Sequence, residues 1–162
     1  MSELHPNARA VMAAAETAGL TIDPVEFPDG TRTAGDAARA IGVAVGQIVK
    51  TLVFAVDREV VIAMVSGINR LDPARLAAAA ARVGAVVDRA DARLARDATG
   101  YPIGGVPPFG HTRPLRTFLD EDLMAYDVVW AAAGTPRHVF AAAPADVVRA
   151  TGATVCALRD DR

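Results

Sequence analysis

Lys50 is the only lysine among 162 residues; sixteen arginines carry the other fixed positive charges. Arginine is a rigid fork that stays charged, whereas lysine is a compact point charge on a flexible stem whose pKa moves readily on burial. This lysine stands in an apolar run, Gln47-Ile48-Val49-Lys50-Thr51-Leu52-Val53-Phe54. If residues 48–56 form a strand, Ile48, Lys50, Leu52, Phe54 and Val56 share one face. An ammonium on such a face needs an outlet: solvent at the strand end, a buried carboxylate, or an anionic or carbonyl group of a ligand in a pocket.

A second feature lies about fifty residues on. Residues 100–110 hold four glycines and three prolines, so they cannot form regular structure. Glycine permits positive φ and close approach to backbone, and Pro107-Pro108 removes two donors and stiffens the segment. The amides left at Gly104, Gly105 and Val106 are suited to holding a carbonyl oxygen or an oxyanion. An ordinary tight surface loop would have the same composition. His111, Arg113 and Arg116 follow directly; they could meet phosphate or form a solvated strand edge. His138 could enter a site or be a satisfied strand residue, and His5 reads as a tail residue. Three well-separated histidines and the single Cys156 give no metal-ligand spacing, so no metal is expected. Cys156 reads as a small core residue. Serine occurs only at positions 2 and 66, without a GxSxG elbow. A hydrolytic site here would have to activate water by position and electrostatics.

These residues need elements to position them. Helices are expected over residues 7–18, 33–41, 72–81, 90–98 and 144–150. Their ends carry recognisable signals: Thr33 and Asp72 as N-caps, Pro73 in the first turn, Gly19 and Gly42 as stops. Residues 20–27 read as extended and 28–30 as a turn. Strands are expected over 48–56, 59–66, 85–87, 115–119, 128–133, 138–142 and 153–158. Asp57-Arg58 would join the first two as a hairpin, although a two-residue turn without glycine is not the preferred one. Strands cluster rather than alternating strictly with helices, so the fold class is mixed α/β of α+β character with a largely antiparallel sheet or barrel. The length suits one domain over 1–162. A net charge of −2 argues against a broad basic nucleic-acid face but leaves room for a few phosphate contacts. The N-terminus has no signal pattern and the apolar runs are too short to span a bilayer, so a cytoplasmic protein with no membrane contact is expected.

The two features together resemble the YbaK/prolyl-tRNA-synthetase-associated editing-domain family. The resemblance is carried by Gln47-Ile48-Val49-Lys50-Thr51-Leu52 and by the Gly104 to Pro108 GxxxP loop. Residues 128–134 and 144–147 also look like that family's C-terminal part, so it covers roughly residues 21–158. It implies a mixed β-barrel of six to seven strands surrounded by helices, and hydrolysis of the ester joining a wrong small amino acid to the tRNA 3′ end. It implies Lys50 as the essential pocket lysine and residues 104–108, including Pro107 and Pro108, as the loop gripping the aminoacyl-adenosine end. It further implies that Phe27 and Thr51 line the pocket. No cofactor is implied; the partners are the aminoacyl-tRNA acceptor end and an aminoacyl-tRNA synthetase. Members specific for cysteine carry a serine and an aspartate in the segment equivalent to 132–139, which here has neither.

The physical reading agrees: hydrolysis develops charge on the carbonyl oxygen and then on the ribose oxygen, which the Gly104 and Gly105 amides and Lys50 would meet. Two other classes stay open. One is a non-catalytic binding module on the same fold; the other is a Schiff-base enzyme using Lys50. The amino acid, the tRNA and the oligomeric state are left open.

Overall fold

The computed structural model describes residues 4–27 and 33–161. The turn expected at residues 28–30 lies outside them. Five helices appear in chain order: α1 (Pro6–Thr17), α2 (Ala34–Ile41), α3 (Pro73–Ala79), α4 (Ala92–Thr99) and α5 (Pro144–Thr151). Eight strands accompany them: β1 (Val25–Glu26), β2 (Val49–Val56), β3 (Glu59–Ser66), β4 (Val87–Arg89), β5 (Arg116–Asp120), β6 (Val129–Ala132), β7 (His138–Ala142) and β8 (Thr154–Cys156).

Helix ends follow side-chain chemistry. The hydroxyl of Thr33 accepts the Asp36 N–H at 3.0 Å, and Asp91 and Asp72 cap α4 and α3 in the same way. Gly42 ends α2 in the left-handed region at φ 88°. His5 is not a loose tail residue: its imidazole accepts the Asn7 N–H at 3.0 Å and caps α1.

The strands form two sheets. One has the order β4-β2-β3-β5-β8, the other β1-β7-β6. A single parallel bridge, Ile48 with Trp130, connects them. Among the described residues the ladders therefore do not close into a barrel. The larger sheet is mixed: β2 runs antiparallel to β3 and β4, as expected, whereas β3 with β5 and β5 with β8 run parallel. That difference arises because the long 67–115 segment carries the chain back past β3, whereas only adjacent strands could be paired from their sequence.

The β2–β3 hairpin has its Asp57-Arg58 turn, with Val56 opposite Glu59. Asp57 itself takes φ 54°, a conformation aspartate tolerates better than most. Val86 secures it, accepting the Asp57 N–H at 2.7 Å and donating to its carboxylate at 3.1 Å.

Strand alternation splits the core into two layers. Val49, Val53, Ile62 and Met64 face α1, α4 and the smaller sheet. Phe54, Val56, Val61, Ala63 and Val65 face Leu76 and Ala80, with Phe118 and Leu158 completing that layer. Cys156 is only half-buried, at the edge of the second layer, rather than a core residue.

Candidate active site

Strand β4 pairs with β2 only from Phe54 to Val56. Among the described residues the first half of β2 therefore has an edge with no partner strand on that side, and a cleft of about 530 Å³ lies along it. That size suits a small-molecule site. Its walls come from Thr33, Ala34 and Gly35 at the start of α2, from Ile103, Gly104 and Val106, and from Trp130, Ala131, Ala132, His138 and Val139 of the smaller sheet. Lys50, Thr51 and Arg89 supply the polar side of the β2 edge. No carboxylate lines the cleft among the described residues.

Lys50 shares its strand face with Leu52, Phe54 and Val56, as its spacing predicts; Ile48 lies outside the strand, in a small cluster with α2. The half-buried ammonium donates to the Asn69 carbonyl. No carboxylate pairs with it among the described residues. Burial, then the positive charges of Arg89 and Arg70, hold its pKa below the ordinary lysine value. Thr51 points to the opposite face. Its Oγ1 is buried and has no hydrogen-bond partner among the described residues, an arrangement that costs free energy unless a ligand completes it.

The glycine loop is pinned rather than loose. Gly104 takes φ +88°, where an L side chain would be strained. A Cβ on Gly105 would stand 2.7 Å from the backbone of Thr135. The missing Cβ permits that close approach, and the Gly105 carbonyl, accepting the Gly134 N–H at 2.9 Å, holds it. The Gly105 N–H is already spent: it donates to Pro102 at 2.9 Å. Gly105 therefore does not supply the oxyanion donor expected of it, because the turn that shapes the loop consumes its amide. The N–H groups of Gly104 and Val106 have no partner among the described residues, and both residues line the cleft.

The remaining predicted residues divide. Pro107 and Pro108 are buried behind the loop. His111 folds back on that segment, its Nε2 lying 2.7 Å from the Pro107 carbonyl, and burial lowers its pKa. It does not line the cleft, and neither does the exposed Arg113. Arg116 is taken up by a bidentate pair with Glu59 at 2.6 and 2.7 Å, so the three cations do not form one cluster. Phe27 is half-buried outside the cleft, its N–H bonded to the Arg137 carbonyl at 2.8 Å. His138 is 3% exposed, its Nδ1 is 2.6 Å from the Thr135 hydroxyl, and it lines the cleft. Burial lowers its pKa, partly offset by Glu26.

Arg89, Ile103 and Trp130 also line the cleft, and none was singled out from sequence as a site residue. Arg89 and Trp130 reach the site through strand pairing, which nothing in their local pattern marks, and Ile103 reaches it as part of the glycine loop. Among the described residues no group of three or more His, Cys, Asp or Glu could hold a metal ion. No helix among them is long and apolar enough to cross a membrane.

Comparison with known proteins agrees with this geometry. A solved protein described as a proposed trans-editing enzyme for prolyl-tRNA synthetase is 46% identical, with 98% of this chain and 99% of that one aligned at a TM-score of 0.91. The solved protein APE2540 is 29% identical over 93% of this chain and 99% of its own, at a TM-score of 0.84. Bacillus subtilis (strain 168) YwhH is 28% identical over 77% of this chain and 78% of its own length. A proline–tRNA ligase of Desulforamulus reducens is 34% identical over 65% of this chain, a match spanning only 18% of the ligase. The family model of the aminoacyl-tRNA editing domain matches residues 28–150. With Lys50 and the 104–106 loop meeting at one cleft inside that matched region, the chain belongs to the aminoacyl-tRNA editing domain family, of YbaK type.

Proposed function

We propose that this protein is an aminoacyl-tRNA deacylase acting in trans, which hydrolyses the ester between a wrongly attached small amino acid and the 3′ end of a tRNA. The observation that carries this reading is that Gly104 and Val106, whose N–H groups have no partner among the described residues, line one mainly apolar cleft with Lys50 and Arg89.

In this reading the ester carbonyl oxygen lies against the Gly104 and Val106 N–H groups. A water oxygen adds to the carbonyl carbon, and the amides stabilise the negative charge that forms. The bond from the carbonyl carbon to the ribose oxygen then breaks. The proton lost by water passes to that ribose oxygen, leaving the free amino acid and an intact tRNA. With no serine or cysteine lining the cleft among the described residues, catalysis in this reading rests on positioning and electrostatics. Lys50 and Arg89 offer positive potential to the phosphate of the terminal nucleotide, and the buried Thr51 hydroxyl offers a hydrogen bond to the aminoacyl-ribose portion. Ala131, Ala132, Val106 and Val139 leave room for a small side chain, which an apolar pocket selects by size. The proline–tRNA ligase relative supports a proline tRNA as the carrier and a synthetase as the partner.

The test is deacylation of tRNAs charged with alanine, cysteine, serine or threonine. Hydrolysis of at least one is expected, with Lys50→Ala lowering kcat/KM by about 10²-fold or more. Lys50→Arg is expected to be nearly as inactive, because a guanidinium fork does not fit the seat of the ammonium. Binding of all four esters without turnover would instead make the protein a binding module.

A further inference from the structure

Lysine is held by four rotatable bonds, and an unpaired ammonium beside two arginines would ordinarily swing into water. The acceptor that keeps it is the Asn69 carbonyl, and the surroundings of Asn69 are unusually constrained. Asn69 is 9% exposed. Its side-chain amide has two N–H donors. Nδ2 donates to Asp120 Oδ2 at 2.9 Å and to Asp122 Oδ2 at 2.8 Å. Its backbone N–H donates to Ser66 at 2.9 Å. Asp120, 1% exposed at the end of β5, takes the Leu158 N–H on its other oxygen at 3.2 Å. Asp122 also accepts Arg159 Nη1 at 3.0 Å.

The C-terminal segment reinforces the same turn through its backbone. The Asp160 N–H donates to the Arg70 carbonyl at 2.7 Å, and the Asp72 N–H to the Leu158 carbonyl at 2.8 Å. Residues 158–160 lie beyond the part of the chain matched by the family model, which ends at residue 150.

We infer that Asn69 is a positioning residue for Lys50, and that Asp120, Asp122 and the 158–160 segment brace it, so that the C-terminus helps set where the cleft's ammonium sits. The inference rests on the reading of Lys50 as a site residue, but its geometry stands without substrate. A merely structural asparagine would tie β5 to the 66–70 turn and leave Lys50 indifferent. Here the backbone carbonyl of that same clamped residue is the ammonium's acceptor. The charged groups facing Lys50 are Arg89 from β4 and Arg70 from the turn, and both stay in place in the variants below.

The experiment uses the full chain without tRNA. Because Lys50 is the only lysine, protein labelled with ¹³C,¹⁵N-lysine gives one side-chain signal, whose titration by NMR reports the ammonium alone. Asn69→Ala removes both donors of the clamp. Asp122→Ala removes only its more exposed leg, and serves if the first variant does not fold. Freed from its seat, the ammonium moves into water and loses the burial that holds its pKa down. The expected result is therefore a titration midpoint raised toward the ordinary lysine value, more in Asn69→Ala than in Asp122→Ala. A midpoint in the folded variants that is unchanged or lower overturns the inference. Because this readout needs no substrate, its failure is distinct from failure of the deacylase reading, which the charged-tRNA panel decides.

Discussion

The amide inventory around residues 104–106 decides which backbone groups can act on a substrate. Three consecutive N–H groups are chemically equivalent in the sequence. The fold separates them: Gly105 closes a turn on Pro102, while the donors of Gly104 and Val106 have no partner among the described residues. Gly105 is still indispensable, through the missing Cβ that lets the loop lie on Thr135. Gly105→Ala is thus expected to displace the loop, costing about 1–3 kcal/mol as an overpacked site does. Urea denaturation should show the loss, and deacylation should fall with it; full activity at wild-type stability would sink this account. Lys50 and the loop could be picked out from residue types alone. Arg89 and Asn69 could not, because a surface arginine and a turn asparagine carry no signature until strand pairing places them beside the ammonium.

At the scale of elements, local chemistry was widely readable. Thr33, Asp72 and Gly42 mark helix ends that the structure keeps. The strand β7 (His138–Ala142) has the bounds its pattern predicts. The segment after Gly84 was harder. Residues 85–87 read as apolar, yet the strand is Val87–Arg89, because pairing with β2 rather than side-chain hydrophobicity selects it. That shift of two residues is what brings Arg89 to the cleft. Helix α2 contributes cleft wall from its first turn, so its cap should matter to both stability and binding. Thr33→Ala is expected to cost about 1 kcal/mol, seen as a lower Tm. It should raise KM more than it lowers kcat, since Thr33, Ala34 and Gly35 line the cleft without supplying a reacting group. A change in kcat alone would contradict this placement.

Across the whole molecule, two partly or fully buried histidines couple folding to pH. Burial lowers the pKa of both His111 and His138 from the ordinary value near 6.5. A histidine with a lowered folded pKa binds fewer protons in the folded state than in the unfolded one. Its contribution is therefore complete above about pH 6.5 and is lost as pH falls toward the folded value. Urea midpoints measured at pH 7, 6 and 5 should decline, and the His111→Gln, His138→Gln double variant should decline less steeply. Equal slopes would remove the histidines from the acid response. Glu59 works in a lower range: the Arg116 hydrogen bond holds its pKa below 4.5, so its contribution is lost only in stronger acid.

The sequence by itself determined the mixed α/β class and most element types, because capping, alternation and backbone stiffness are local properties; the link between Lys50 and the glycine-proline loop came from the family resemblance. Tertiary structure alone decided the two-sheet arrangement joined at Ile48 and Trp130, the parallel strands β5 and β8, and the free edge of β2 that becomes a cleft. It also decided which loop amides remain available and which carbonyl holds the ammonium. The reason is physical. Hydrogen-bond partners between residues far apart in the chain are chosen by packing, and no local propensity encodes which donor will be spent and which left for a ligand.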